Sequence, residues 1–262
     1  MTRGIYFSGI EDIATYISPT ELFTYATEDF TMCGWGRVMG PLPTQNFLGN
    51  YRVFGFHAQT VASSTSESLR GTNIVQNNDE DCRVTPMQMY HHGGGNVGSP
   101  QFFGLSSCTV TSSQDWFYAL TYDHLTEKFN AYYQIDTSSP LLFCSGVATS
   151  SHDFPIQRLS MGGSFNYGGS GIPRTQVTNV KAWKRLLTSN QLINEMKSES
   201  VIDSANLYGW WKMNNSTDLA DYSGNGRTLV YRGTLLDGSM DPVDIQPSPL
   251  ANYSITGLRI TH

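Results

Sequence analysis

The segment Asp115 to Asp136 constrains the fold more than any other part of the chain. It reads WFYALTYD, then HLTEK, then FNAYYQID. Two runs this rich in aromatic and β-branched residues, joined by a short polar connection, form an antiparallel hairpin. The same period of two recurs along the chain. Short strands are expected in Gly4 to Ile17 (IYFSG and IATYI), Asp29 to Val38, Tyr51 to Gln59, Leu141 to Ala148, Gln157 to Gly162, Gln176 to Leu187 and Leu207 to Met213. Gly40-Pro41-Leu42-Pro43 separates two of them, because proline cannot donate to a ladder. A chain of many short strands with turn signals between them is all-β.

A single helix breaks this pattern. Thr188 stands three residues before Gln191, the spacing of a capping box, and Leu192, Ile193 and Met196 then share one face. It is expected to lie across the end of the strand layers. The polar stretch Thr60 to Asn78 reads as a loop or edge elaboration, Asp79-Glu80-Asp81 as a solvated acidic turn, and His91-His92-Gly93-Gly94-Gly95 as a loop with exposed imidazoles. Asp221-Tyr222-Ser223-Gly224-Asn225-Gly226 reads as a tight turn, since Asn and Gly tolerate positive φ. No internal repeat is evident. The division expected is one β domain over residues 1–236 and a Pro-rich C-terminal extension over 237–262.

Composition excludes several classes. Hydrophobic residues make up 39% of the 262, enough for a core, whereas charged residues make up only 15%. The net charge is −6 and no Lys/Arg run occurs, so binding to nucleic acid through its phosphates is not expected. No apolar stretch approaches the ~18 residues of a membrane-spanning helix, and no membrane partner is expected. The four cysteines (Cys33, Cys82, Cys108, Cys144) form no CxxC pair, which disfavours structural zinc, and Cys33 and Cys144, in apolar strand-like runs, are expected as buried free thiols. The opening MTRGIYFSGIEDIATYI lacks the basic-then-apolar layout of a signal peptide; either a leader has been removed or, as the initial Met suggests, the secretory route is not used.

In this order the pieces resemble the laminin G-like (concanavalin A-like) jelly-roll family. The resemblance rests on IYFSGIEDIATYI, DFTMCGWGRV, the hairpin DWFYALTYDHLTEKFNAYYQID, RLSMGG followed by VTNVKAWKRLLTSNQL, and LYGWWKMNNSTDLADYSGNG, together covering about residues 4 to 230. It implies an antiparallel two-sheet β-sandwich with one short helix. One departure is that the Asp-Tyr-Ser-Gly-Asn-Gly element follows the helix here, whereas many relatives carry its counterpart early. The family often holds Ca²⁺ at a sheet rim, for which Asp218, Asp221 and Asn225 are the candidates; the competing reading is that Asp221 and Asn225 simply build the turn. Carbohydrate would require an aromatic platform, with Tyr90, Tyr167, Trp210 and Trp211 as candidates. Trp210 and Trp211 are adjacent on a strand, so one is expected in the core and the other outward.

No catalytic constellation is legible. Glucanases of this fold set paired carboxylates at alternate positions on one strand, roughly 5–5.5 Å apart. No Glu-x-Asp-x-x-Glu strand, Gly-x-Ser-x-Gly elbow or HExxH helix is present. The expectation is therefore a non-enzymatic structural or interaction protein of a virion: a bacteriophage capsid-decoration, head-fibre or tail-associated protein. Other virion proteins would be its partners, with glycans a further ligand and a homo-oligomer, such as a trimer, as its assembly. The alternative is an extracellular or surface glycan-binding lectin module, and a third reading is a glycan-active hydrolase.

Overall fold

The computed structural model describes residues 4–7, 13–17, 24, 26–38, 50–58, 71–78, 84–92, 101–104, 115–135, 142–147, 156–162, 164–165 and 175–232, several of the strands by backbone alone. These residues are mostly strand, with one short helix, and every strand pairing is antiparallel. The strands are β1 (Ile5–Phe7), β2 (Ile13–Ile17), β3 (Phe30–Val38), β4 (Asn50–Ala58), β5 (Gly71–Asn78), β6 (Val84–His92), β7 (Gln101–Gly104), β8 (Asp115–Asp123) and β9 (Lys128–Ile135). They continue as β10 (Leu142–Val147), β11 (Ile156–Gly162), β12 (Ser164–Phe165), β13 (Thr175–Trp183), β14 (Leu207–Trp211) and β15 (Val230–Arg232), with helix α1 (Ser189–Met196) between β13 and β14. Seven strands form one sheet in the order β1-β13-β3-β8-β9-β10, with β14 also on β13. The other eight form a second sheet in the order β15-β2-β11-β4-β5-β6-β7, with β12 on β4.

The hairpin is present as β8 and β9, joined through His124 to Glu127 with Glu127 at φ 52°. Its register with β3 sorts the side chains onto two faces. Phe30, Tyr122 and Phe129 stand opposite one another, as do Met32, Leu120 and Ala131, and the aromatic rings of the first row touch at 5.8 and 4.5 Å. On the other face Cys33, Ala119, Trp35 and Phe117 pack with Trp183 of β13 and with Leu187, Leu192 and Met196. Helix α1 thus lies on a face of the seven-stranded sheet and not across the end of the layers, and the Trp35 indole donates to the Met196 carbonyl at 3.3 Å. Both faces of β3 are buried, with Phe30 and Met32 on one and Cys33 and Trp35 on the other. The two sheets touch where Phe7 of β1 meets Tyr231 of β15, with ring centroids 6.3 Å apart. Gly162 of β11 is needed there, because a Cβ would fall 2.3 Å from the Phe7 ring.

The cap at Thr188 forms as the spacing predicts. Its hydroxyl accepts from the Gln191 N–H at 3.3 Å, and the Gln191 side chain accepts from the Thr188 N–H at 2.9 Å. Cys33 is a buried free thiol, pushed up to about 12 by burial, with Lys181 opposing and Glu195 adding to the shift. Residues 71–78 depart from the loop expectation, forming β5. His91 and His92 lie in β6 opposite Thr72 and Gly71, not in a loop. Asp79-Glu80-Asp81, Cys82, Cys108, Tyr167 and all of 237–262 lie outside the described residues.

Candidate functional site

Strand β14 carries Trp210 and Trp211 side by side, and the pleat sends them to opposite faces. Trp211 is fully buried, and its indole N–H donates to the Arg227 carbonyl at 2.7 Å. Its ring lies across Gly209, where a Cβ would come within 2.3 Å of it. Trp210 is half-buried and faces the other way.

The orientation of Trp210 is set by a break in the neighbouring strand. Between Thr178 and Lys181 the register of β13 against β3 shifts, and Asn179 within that bulge sits at φ 49°. Asn accepts a left-handed backbone more readily than most residues, and bulges re-aim side chains beside functional sites. Asn179 is bonded through its backbone N–H and through both polar atoms of its side-chain amide. Its N–H donates to the Lys212 carbonyl at 2.9 Å, its Nδ2 to the Ser198 carbonyl at 3.1 Å, and its Oδ1 accepts the Trp210 indole N–H at 2.9 Å.

The loop after β14 folds back over the outer edge of that strand. Asp221 Oδ1 accepts the Trp210 backbone N–H at 3.1 Å, while the Tyr222 N–H donates to the Trp210 carbonyl at 2.7 Å. An open edge is thereby covered without another strand. The same bonds bring the Tyr222 ring to 5.8 Å from that of Trp210, and Tyr222 remains 43% exposed. Lys212 is two residues beyond Trp210. Its ammonium lies over both rings, 4.7 Å from the Trp210 centroid and 4.4 Å from that of Tyr222. The Tyr222 hydroxyl donates to Asp218 Oδ1 at 3.0 Å, and this bond to a carboxylate raises the phenol above its ordinary range.

The three residues expected to hold calcium make the turn. Asp221 Oδ1 accepts from the Trp210 N–H and from the N–H and hydroxyl of Ser223 (2.9 and 2.6 Å), and Oδ2 accepts from the Arg227 N–H at 2.9 Å. Burial pushes the Asp221 carboxyl up, but the Ser223 hydroxyl and these three N–H donors outweigh it and hold it below the usual carboxylate range. Asp218 Oδ2 accepts from the backbone and side chain of Asn214, and Asn225 turns its Nδ2 to the carbonyls of Leu207 and Tyr208. Calcium takes six to eight oxygens. As arranged, N–H donors surround these carboxylates, and the donor set does not fit that shell.

Another cation-capable group was not anticipated from the sequence. Asp29, Asp123 and His124 each offer one ligand atom, all within 4.8 Å of one another. Here too the carboxylates have protein partners. Asp29 Oδ1 accepts the His124 N–H at 3.0 Å and lies 2.7 Å from its Nδ1, and Asp123 accepts from Leu125 and Thr126 within the hairpin turn.

Of the aromatic candidates whose side chains are described, Trp210 lies in this cluster with its side chain partly exposed, and Trp211 is core. Tyr90 is on β6 of the other sheet, opposite Asn73 and Phe102. Sequence reasoning missed Lys212, Tyr222 and Asn179. The first had a signal, since residues 210 and 212 share a strand face by the period of two; the other two arrive through long-range backbone bonds.

No family model and no curated protein matches the chain. Part of one solved structure shares its fold. The full-length tailspike protein 2 of Escherichia coli O157:H7 bacteriophage CAB120 aligns with a TM-score of 0.53 at 10% identity, over 80% of this chain and 28% of the tailspike. The chain therefore spans little more than a quarter of that protein's length. A heptameric SAP-like pentraxin from Limulus polyphemus aligns at 0.49 and 9% identity, covering 88% of this chain and 92% of the pentraxin. A putative carbohydrate binding protein from Bacteroides ovatus aligns at 0.49 and 14%, covering 88% and 58%.

Proposed function

We propose that the chain is a non-enzymatic carbohydrate-binding domain, a two-sheet laminin G-like jelly roll over residues 1–236, displayed on a bacteriophage particle as a tail-associated protein. The observation that carries the binding part is the Trp210–Tyr222 pair. Its indole is partly exposed, its N–H is already satisfied by Asn179, and its partner ring is held 5.8 Å away by backbone bonds. A pyranose presents an apolar C–H face, and a pre-oriented aromatic ring receives it at little cost in side-chain entropy. The fold shared with part of a phage tailspike supports the setting. The carboxylates of the site support a binding role over hydrolysis, because Asp218 and Asp221 are spent on turn donors and neither is free as an acid or nucleophile.

The test is an array of oligosaccharides probed with the wild-type chain and with Trp210→Ala. The proposal expects at least one glycan class bound by wild type, with binding lost in the variant while the thermal unfolding temperature holds. Unchanged binding in the variant, or turnover of the bound glycan, would overturn it. Stoichiometric presence in purified particles checks the virion setting separately.

A further inference from the structure

Resting on the reading of Trp210 and Tyr222 as a sugar platform, we infer that the glycan it takes is acidic, with its carboxylate or sulfate group held by the Lys212 ammonium. The Lys212 Nζ lies 4.7 and 4.4 Å from the two ring centroids. Two ring quadrupoles fix its position without neutralising its charge. Among the described residues it has neither a carboxylate partner nor a hydrogen bond. Other cations near this part of the fold are committed: Lys181 to Glu195, Lys184 to Glu28, Arg185 to Asp203, and Arg227 to the Tyr208 carbonyl. The acids of the loop are committed as well, Asp218 to Asn214 and the Tyr222 hydroxyl, Asp221 to its four donors.

The position of Lys212 discriminates between sugar classes. Because the ammonium lies over both rings, a neutral pyranose stacking on that face must displace it and offers it no counter-charge. An anionic substituent pairs with the ammonium where it already sits, while the sugar ring packs on the exposed part of the Trp210 and Tyr222 rings. The hydrogen bond so formed is charge-assisted on both sides.

The experiment uses the full chain on an array of size-matched neutral, uronate-bearing and sulfate-bearing oligosaccharides, at low and high ionic strength, with Lys212→Gln and Trp210→Ala alongside. The expected result is binding to acidic members, weakened by salt and reduced about tenfold in Lys212→Gln, the loss of one hydrogen bond to a charged group. The uronate and sulfate arms tell which anion is read. If neutral members bind as well and Lys212→Gln changes nothing while Trp210→Ala abolishes binding, the acidic assignment is wrong and the platform stands. If Trp210→Ala leaves binding intact, or no member binds, the platform reading fails and the assignment with it. Equal unfolding temperatures of the two variants and wild type exclude misfolding as the cause.

Discussion

Lys181 and Glu195 form an ion pair whose side chains are each only 1% exposed, with Nζ 2.8 Å from Oε2. The ammonium also donates to the carbonyls of Glu195, Ser198 and Ser200 at 3.2, 3.0 and 2.8 Å. The other carboxylate oxygen accepts the N–H groups of Ile202 and Asp203 at 2.9 and 2.7 Å. The pair thus ties β13 to α1 and to the chain that follows it. Glu195→Gln keeps the shape and the acceptor for those N–H groups but leaves a buried ammonium without its anion. Breaking a buried pair in this way costs about 3–5 kcal/mol, a large part of the ~5–15 kcal/mol of a typical domain. Lys181→Met should cost a similar amount by stranding the carboxylate. The double variant carries no buried charge, so it should be less destabilised than the sum of the singles by at least ~2 kcal/mol. Urea unfolding followed by tryptophan fluorescence measures all three. The Ser198 carbonyl also accepts from Asn179, which holds Trp210, so the single variants should loosen that indole too. Additive single and double values, or a loss under ~1 kcal/mol for Glu195→Gln, would refute the reasoning.

Other outcomes follow from the same contacts. Asn179→Gly keeps the left-handed backbone without strain but removes the indole acceptor; it should shift the Trp210 indole resonance and weaken glycan binding with little loss of stability, whereas an unmoved resonance would deny Asn179 its positioning role. Thr188→Ala should cost about 1 kcal/mol through the lost cap, read by denaturant midpoint at constant slope. The carboxyls of Asp203, held down by Arg185, and of Asp221, held down on balance by its donors against burial, lie below their ordinary range in the folded chain. Their stabilisation is therefore complete above the unfolded value of about 3.9 and is lost as pH falls through the folded values. Stability should be flat in this contribution near neutrality and decline below about pH 4, with a shallower decline in Asp221→Asn; equal acid profiles would contradict it. Cys33, its thiol pushed up to about 12, should escape alkylation in the native chain and react only on unfolding, as mass spectrometry of the labelled peptide would show.

Legibility in the sequence followed locality. The β8–β9 hairpin, the Thr188 cap and the opposite facing of Trp210 and Trp211 depend on residues a few positions apart, and all three appear in the structure. Strands β5 and β6 were hidden because GTNIVQNN is nearly all polar and β6 contains Pro86, so propensity pointed to a loop where cross-strand pairing decides. The placement of α1 was hidden as well, since the period of two along β3 does not say what covers the face carrying Cys33 and Trp35. At the site, Trp210 and Lys212 were readable by strand period. Asn179 was not, because its role arises from a register shift, and Tyr222 was masked by a turn motif that explains its neighbours fully.

The central claim is that Trp210, and not the buried indoles, receives a sugar. Its most direct test is a titration of the ¹⁵N-labelled chain with a glycan bound on the array, observing the tryptophan indole resonances. The Trp210 signal, assigned by its loss in Trp210→Phe, should shift or broaden in step with binding, while those of Trp183 and Trp211, bonded to Asp203 and Arg227 in the interior, stay in place. Saturating glycan that leaves the Trp210 resonance unmoved would contradict the account.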